Sequence, residues 1–473
     1  MEETFFPGRR RFWQAGAGLA AWAGSGAGVI AAPAAGRSPP ARGEFVIDGA
    51  HVLTMDARLG EFVGGQVHVK DGAIVAVGPR VDAPGARRID AAGMICLPGL
   101  VDTHWHLWNC ACRMFHQIDV PRNTYFPLTS RLGPHMTPAD TYHSVCLGLA
   151  EGLASGITTV HNWSHNTRTP AHADAELSAM RDLGVRGRFS YGGPQGGPTD
   201  QPMDSKDLAR VQREWIGPHN PLLSLGIVSR NLVAGQSLRG TIDYDMARRD
   251  WGAARALGLP ITLHASPRGL VRRLEDEKLL GPDVQLVHPM FTTAEERAIL
   301  KARGTSFSTS ATAEAARPPD GGEIQLGELL RDGVLVGLSL DETVSGNADY
   351  FDMMRIAYKY HKHRLGETVP LTARRMLELA TVDGARALGL DGQIGTLAPG
   401  KRADLILVGT GGLNIAPCRD PYDALLNRAS PANVDTVIVD GRILRQRGRF
   451  TFTDETAIVR AATASMQRLA PKA

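Results

Sequence analysis

Pro98-Gly-Leu-Val-Asp-Thr-His-Trp-His106 is the stretch that decides the fold. On a strand successive side chains alternate faces, so His104 and His106 point the same way at the end of a short apolar run. Such a pair can fill two neighbouring positions around a borderline cation. Other apolar runs close the same way: Ile261-Thr-Leu-His264, Val284-Gln-Leu-Val-His288 and Val334-Leu-Val-Gly-Leu-Ser-Leu-Asp341.

Working outward, strand-like runs fall near 98–104, 157–161, 185–191, 221–228, 260–264, 284–288, 305–310 and 334–341, with amphipathic segments between most of them. Thr293-Ala-Glu-Glu296 reads as a capping box, and Gly184 and Asp332-Gly333 as helix stops. Eight strands with crossover helices predict an α/β fold, a (β/α)8 TIM-type barrel spanning 98–393. In that fold the C-terminal strand ends gather at one mouth, which brings the histidines and Asp341 together.

The flanks read differently. Residues 43–97 and 394–452 carry strand patterns, including a hairpin signal at Asp71-Gly72, and predict one small β-sandwich domain built from both segments. His51 and His68 are expected on its surface, and His361 and His363 on a solvated helix face. Residues 453–473 form a helical tail. Residues 1–35 have a signal-peptide layout, with Arg9-Arg-Arg-Phe12 ahead of an Ala/Gly-rich stretch, and resemble a Tat signal. Export to the periplasm or beyond is therefore expected.

A formal net charge of +3 over 473 residues gives no case for nucleic acid or a polybasic membrane contact. No later stretch is apolar enough for stable membrane insertion. The five cysteines include Cys110-Ala-Cys112 but no second pair, so ordinary buried thiols are expected.

The pieces Pro98–His106, Gly156-Ile-Thr-Thr159, His264, His288, Asp341 and Gly395-Thr-Leu-Ala-Pro-Gly-Lys-Arg-Ala-Asp404 together resemble the amidohydrolase superfamily, nearest its mononuclear aminohydrolase and chlorohydrolase branch. The resemblance implies that His104, His106, His264 and Asp341 bind one divalent metal ion, with Zn2+ the first expectation and Fe2+ the second. It implies that Asp341 moves the proton of an activated water and that His288 steadies the developing charge. Two-metal relatives use a strand-four lysine, and Leu222–Val228 has none.

One departure stands out. Deaminases of this branch carry a glutamate three residues after the strand-five histidine, and here that position is Pro267. Glu314 is a candidate substitute, and Arg268 a candidate for a substrate carboxylate. His165 could position substrate, while Trp105, Trp108 and Trp163 could form an aromatic wall for a flat ring. His161 is expected as a packed strand residue.

The expected activity is metal-dependent hydrolysis of a non-peptide C–N bond (amide, cyclic amide or amidine) in a small molecule. Attack on a heteroaromatic ring, as an aminohydrolase or chlorohydrolase, is a second reading. A non-catalytic exported barrel that binds metal and ligand is a third. A homo-oligomer is a further expectation.

Overall fold

The computed structural model describes residues 38–194, 196–232, 241–316 and 321–473, so the expected signal at 1–35 lies outside the described residues. Eight strands, Leu100–Trp105, Ile157–Ser164, Arg186–Tyr191, Leu223–Val228, Ile261–His264, Val284–Val287, Ser306–Thr309 and Val336–Leu338, pair in sequence order. Every pair is parallel. The local signals explain the crossovers. Helix Ala294–Arg303 opens on the Thr293/Glu296 capping box and stops at Gly304 in the left-handed region. Helix Pro170–Leu183 begins with Pro170 at its first turn and stops at left-handed Gly184.

The barrel closes between its first and eighth strands, and the closure is concentrated at the mouth. The Asp341 amide donates to His104 O at 2.9 Å, and the His106 amide donates to Asp341 O at 2.7 Å. Below them side chains hold the seam. The Leu340 amide donates to Asp102 at 2.8 Å, the Thr103 hydroxyl to Leu338 O at 2.9 Å, and Tyr350 reaches both Val101 O and Leu338 O. Gly337 lies so near Thr103 that a Cβ there would sit 2.5 Å from its methyl carbon.

The accessory sheet draws its strands from both flanks of the barrel, between residues 45 and 98 and between residues 405 and 450. Its nine strands form one continuous mixed ladder rather than two separate sheets. Met94–Pro98 is the hinge of that ladder. It pairs along five residues with Leu405–Gly409, but through only His51 and Val52 with Phe45–Leu53. A second core, including Phe45, Val67, Ile89, Leu405 and Ile438, draws on both arms, so the sheet curls around it. The hairpin turn falls at Asp71 and Gly72, both with positive φ. His68 is buried here against Glu44 at 3.0 Å, and His361 is buried with Nε2 on Val369 O; neither lies on the surface predicted for it.

Helix Glu455–Leu469 lays Ala462, Met466 and Leu469 against Trp108, Leu128 and Leu132. Among the described residues no helix is long and apolar enough to cross a membrane.

Barrel and sheet are tied by a buried ion pair. Arg186 donates twice to Asp404, at 2.6 and 3.1 Å, with 3% and 2% of the two side chains exposed. Removing Asp404 leaves Arg186 only the more distant Asp440 carboxylate, 3.7 Å from Nη2, so the loss falls toward the lower end of the roughly 3–5 kcal/mol typical of a broken buried pair. Asp404→Ala should therefore lower the unfolding midpoint by a shift of that size in chemical denaturation, and a loss under about 1 kcal/mol would show the pair to be dispensable.

Candidate metal centre

Strand alternation builds the site. On Leu100–Trp105 and just beyond it, His104 and His106 face the mouth, so Trp105 faces outward. Its ring lies against helix Pro138–Ala154, where a Cβ on Gly152 would meet it at 2.8 Å. The aromatic-wall expectation fails for Trp105 for this reason.

One ligand atom each from His104, His106, His264 and Asp341 lie within 4.8 Å of one another. His104 Nε2 and His106 Nε2 stand 2.9 and 3.3 Å from the same Asp341 oxygen. Burial pushes the His104 pKa down to about 3 and holds that of His264 well below the usual range, so both rings present lone pairs at neutral pH. A neutral imidazole nitrogen facing a carboxylate oxygen at 2.9 Å needs a cation or a proton between them. The donor set of three imidazoles and one carboxylate suits a divalent metal. Burial would raise the Asp341 carboxyl, but the neighbouring His288 imidazole and the hydrogen bonds of His104 and His106 outweigh it and hold it well below the carboxylate range.

His288 Nε2 lies 3.5 Å from the other Asp341 oxygen, and its ring is parallel to His264 at 5.4 Å. His288 and Asp341 both adopt left-handed φ, +64° and +68°, a region non-glycine residues enter uncommonly. Glu314 is buried behind His288. Its Oε1 lies 3.1 Å from His288 Nδ1 and accepts from the Ser310 amide at 2.9 Å, while Oε2 has no protein partner. It thus meets His288 rather than the open mouth, and its contact was legible in the sequence only as a position after the seventh strand.

On the second strand His161, Trp163 and His165 share the inner face. Trp163 stands edge-on to His104 at 4.1 Å and touches His264 at 4.5 Å, forming a floor beneath the ligands. His165 Nδ1 accepts from Trp108 Nε1 at 2.9 Å, which leaves the proton of the neutral ring on Nε2. That nitrogen is buried without a protein partner, and the ring lies 4.1 Å from His106. Burial, then repulsion from His106 and His104, holds the His165 pKa well below its usual value. Trp108 is therefore a backing for His165, fully buried, and not a wall facing a ligand. His161 sits deeper, between Gln285, the Thr103 carbonyl and Ser190. Arg268 is exposed and stacks over Phe291 at 4.0 Å. Cys110 and Cys112 are buried thiols pushed up to about 12 by burial.

Comparisons agree with this geometry. The amidohydrolase family profile matches residues 253–444. A 5-methylthioadenosine/S-adenosylhomocysteine deaminase of Symbiobacterium thermophilum is 31% identical over 431 residues, 85% of this chain and 93% of the relative. A 5'-deoxyadenosine deaminase of Methanosarcina mazei is 27% identical, over 90% and 98% of the two chains. Among solved structures, a zinc-bound adenosine deaminase of Xanthomonas campestris superposes with TM-score 0.78 at 22% identity, over 92% of this chain and 100% of its own. A zinc-complexed atrazine chlorohydrolase of Arthrobacter aurescens gives 0.75 at 21% identity, over 89% and 100%. The chain belongs to the amidohydrolase family. It is a metal-dependent hydrolase of carbon–nitrogen bonds other than peptide bonds.

The outward face of the second strand carries a pH-sensitive support. Asn162 and Ser164 each donate to Glu176 at 2.7 Å, and burial raises that carboxyl to about 7. A raised acid keeps its proton in the folded state while the unfolded chain ionises, so its effect on stability is nil below about pH 4.5. Stability then falls as pH rises to about 7 and stays reduced above, by up to about 3 kcal/mol. Glu176→Gln mimics the neutral acid and should flatten that fall. Midpoints measured from pH 5 to 9 should separate in the variant's favour, and parallel curves would refute this assignment.

Proposed function

We propose that this enzyme uses zinc to hydrolyse an amidine or cyclic-amide C–N bond in a small, flat, ring-containing molecule, after export by the Tat-like route. The observation that carries the reading is the convergence of His104, His106, His264 and Asp341 on one point at the barrel mouth. The ligand set of three imidazoles and a carboxylate is one that zinc favours. The deaminase names of the relatives support a ring-borne amidine, since the amino-bearing carbon of an adenine ring is one.

When bound, the metal supplies a water of lowered pKa and a Lewis acid for the developing charge. The protein's own groups do the rest. Asp341 takes the water's proton on the oxygen facing His288 and passes it to the departing nitrogen, a general acid–base task worth roughly 10²–10⁴-fold. His288 hydrogen-bonds the attacking oxygen or the developing oxyanion, with its ring fixed through Nδ1 by Glu314. His165 offers its Nε2 proton to the substrate, held in that tautomer by Trp108. Trp163 shields the ligand rings from below. With Pro267 where the branch has its acid, the Glu314–His288 pair is the protonatable couple that stands beside Asp341 without serving as a ligand.

The test is turnover by the metal-loaded enzyme across 6-aminopurine nucleosides, aminated triazines and cyclic amides, with ammonia and ring-opened acid measured separately. Either product sustains the reading, whereas stoichiometric metal with no turnover of any class would favour a binding barrel. Asp341→Asn should lower kcat by at least about 100-fold with the fold intact. Glu314→Gln should lower kcat by about tenfold with full metal content, since it loosens a ring's orientation without removing a ligand.

A further inference from the structure

At the end of the barrel opposite the metal centre, a cavity of about 430 Å³ opens between the starts of the fifth, sixth and seventh strands and helix Gly384–Ala387. Its lining includes Arg188, Arg255, Gln285 and Arg386. Arg255 is balanced by Asp283, which also lines the cavity, whereas Arg386 shares the Asp383 carboxylate with Arg375. Arg255 is bonded to Asp283 at 2.7 and 3.3 Å, and Arg386 to Asp383 at 2.7 Å.

Arg188 is not balanced. It lies on the third strand, 9% exposed, two residues after Arg186, whose charge Asp404 matches. Arg188 Nη2 donates to the Leu388 carbonyl, Nε has no partner, and no carboxylate among the described residues pairs with it. Burial pushes its pKa down only to about 10, so it remains a cation at neutral pH. A buried guanidinium without a counter-charge is costly, and proteins seldom keep one idle. Beside it, Gln285 is 3% exposed; its Oε1 lies 3.1 Å from the His161 ring and its Nε2 has no partner.

We propose that this cavity is an anion site for a small molecule bearing a phosphate or carboxylate group, whose oxyanion sits on Arg188 with Gln285 and Arg386 as further donors. The chemistry fits the planar fork of a guanidinium, which takes two oxygens of either group at once. The site is separate from the metal centre, because its walls are strand beginnings while the metal groups stand at strand ends.

The test is calorimetric titration of the metal-loaded full chain with inorganic phosphate and, separately, with malonate, at ionic strength held constant with chloride. One saturable site for at least one of the two is expected; phosphate alone would define the ligand as a phosphate and malonate alone as a carboxylate. Arg188→Gln should weaken that binding by about tenfold or more, the cost of losing a charged hydrogen-bond pair. Since Arg188 also holds Leu388, Arg386→Gln at the exposed rim is the second variant, expected to weaken binding several-fold with metal content unchanged. No saturable binding of either anion, or binding untouched by both variants, overturns the proposal.

Discussion

The site depends on a seam. Eight parallel strands can pair in order and still leave the first and eighth apart, and then the cation's ligands would have no common point. Here the two strands meet where His104, His106 and Asp341 stand, through the amides of His106 and Asp341. Closing the barrel therefore also brings three of the four candidate ligands, His104, His106 and Asp341, to one point. Asp102 reinforces it from below, accepting from the His104 amide at 3.0 Å and from the Leu340 amide at 2.8 Å. Burial raises the Asp102 carboxyl well above its usual range, and those two donors pull against that rise. A residue that spans both strands makes their spacing a property of one side chain.

The barrel interior follows from this need for order. Barrels of this class are commonly filled by layers of branched apolar residues. Here a hydroxyl chain, Thr103–Ser308–Ser339–Ser310, crosses the seam with spacings of 2.7, 2.8 and 2.7 Å. Deeper on the other side His161 links Thr103, Ser190 and Gln285. Buried hydrogen bonds are directional where apolar contacts are not, and a satisfied network fixes one arrangement of its strands. The left-handed backbone at His288 and Asp341, worth about 1–3 kcal/mol of strain each, is tolerated because the strands around it cannot shift.

Much of this was legible in the sequence. The strand periods and caps placed every barrel strand within a few residues, because backbone pairing in a parallel sheet leaves little freedom once the crossovers are set. The convergence of His104, His106, His264 and Asp341 was legible because these residues close apolar runs, and barrel topology converts that one-dimensional fact into proximity. Trp105 was misread although alternation forbids it: two inward histidines leave the residue between them outward. His68 and His361 were misread because their partners, Glu44 and the Val369 carbonyl, come from other segments and leave no local pattern. Arg188 gave a signal that went unused, a charge inside the strand-like run Val185–Tyr191. The continuous ladder of the accessory sheet rests on two residue pairs at His51 and Val52, too few to register as a pattern.

The absent acid after His264 marks how the site's chemistry is distributed. Position 267 is proline, which carries no side-chain proton, so that strand contributes a ligand and nothing more from its third following residue. The sixth strand leads into His288, and the short helix after the seventh sets Glu314 against it, beside Asp341. The geometry of that pair is fixed from behind: one carboxylate oxygen takes both the Ser310 amide and the imidazole, while the other finds no protein partner. An unpaired buried acceptor costs about 1–3 kcal/mol, a standing expense that packing alone would not retain. The free oxygen can accept a donor while the bonded one keeps the His288 ring in place. Position 267 thus offers the mouth no acid, and the buried acid–imidazole pair beside Asp341 is assembled from two other crossovers of the barrel.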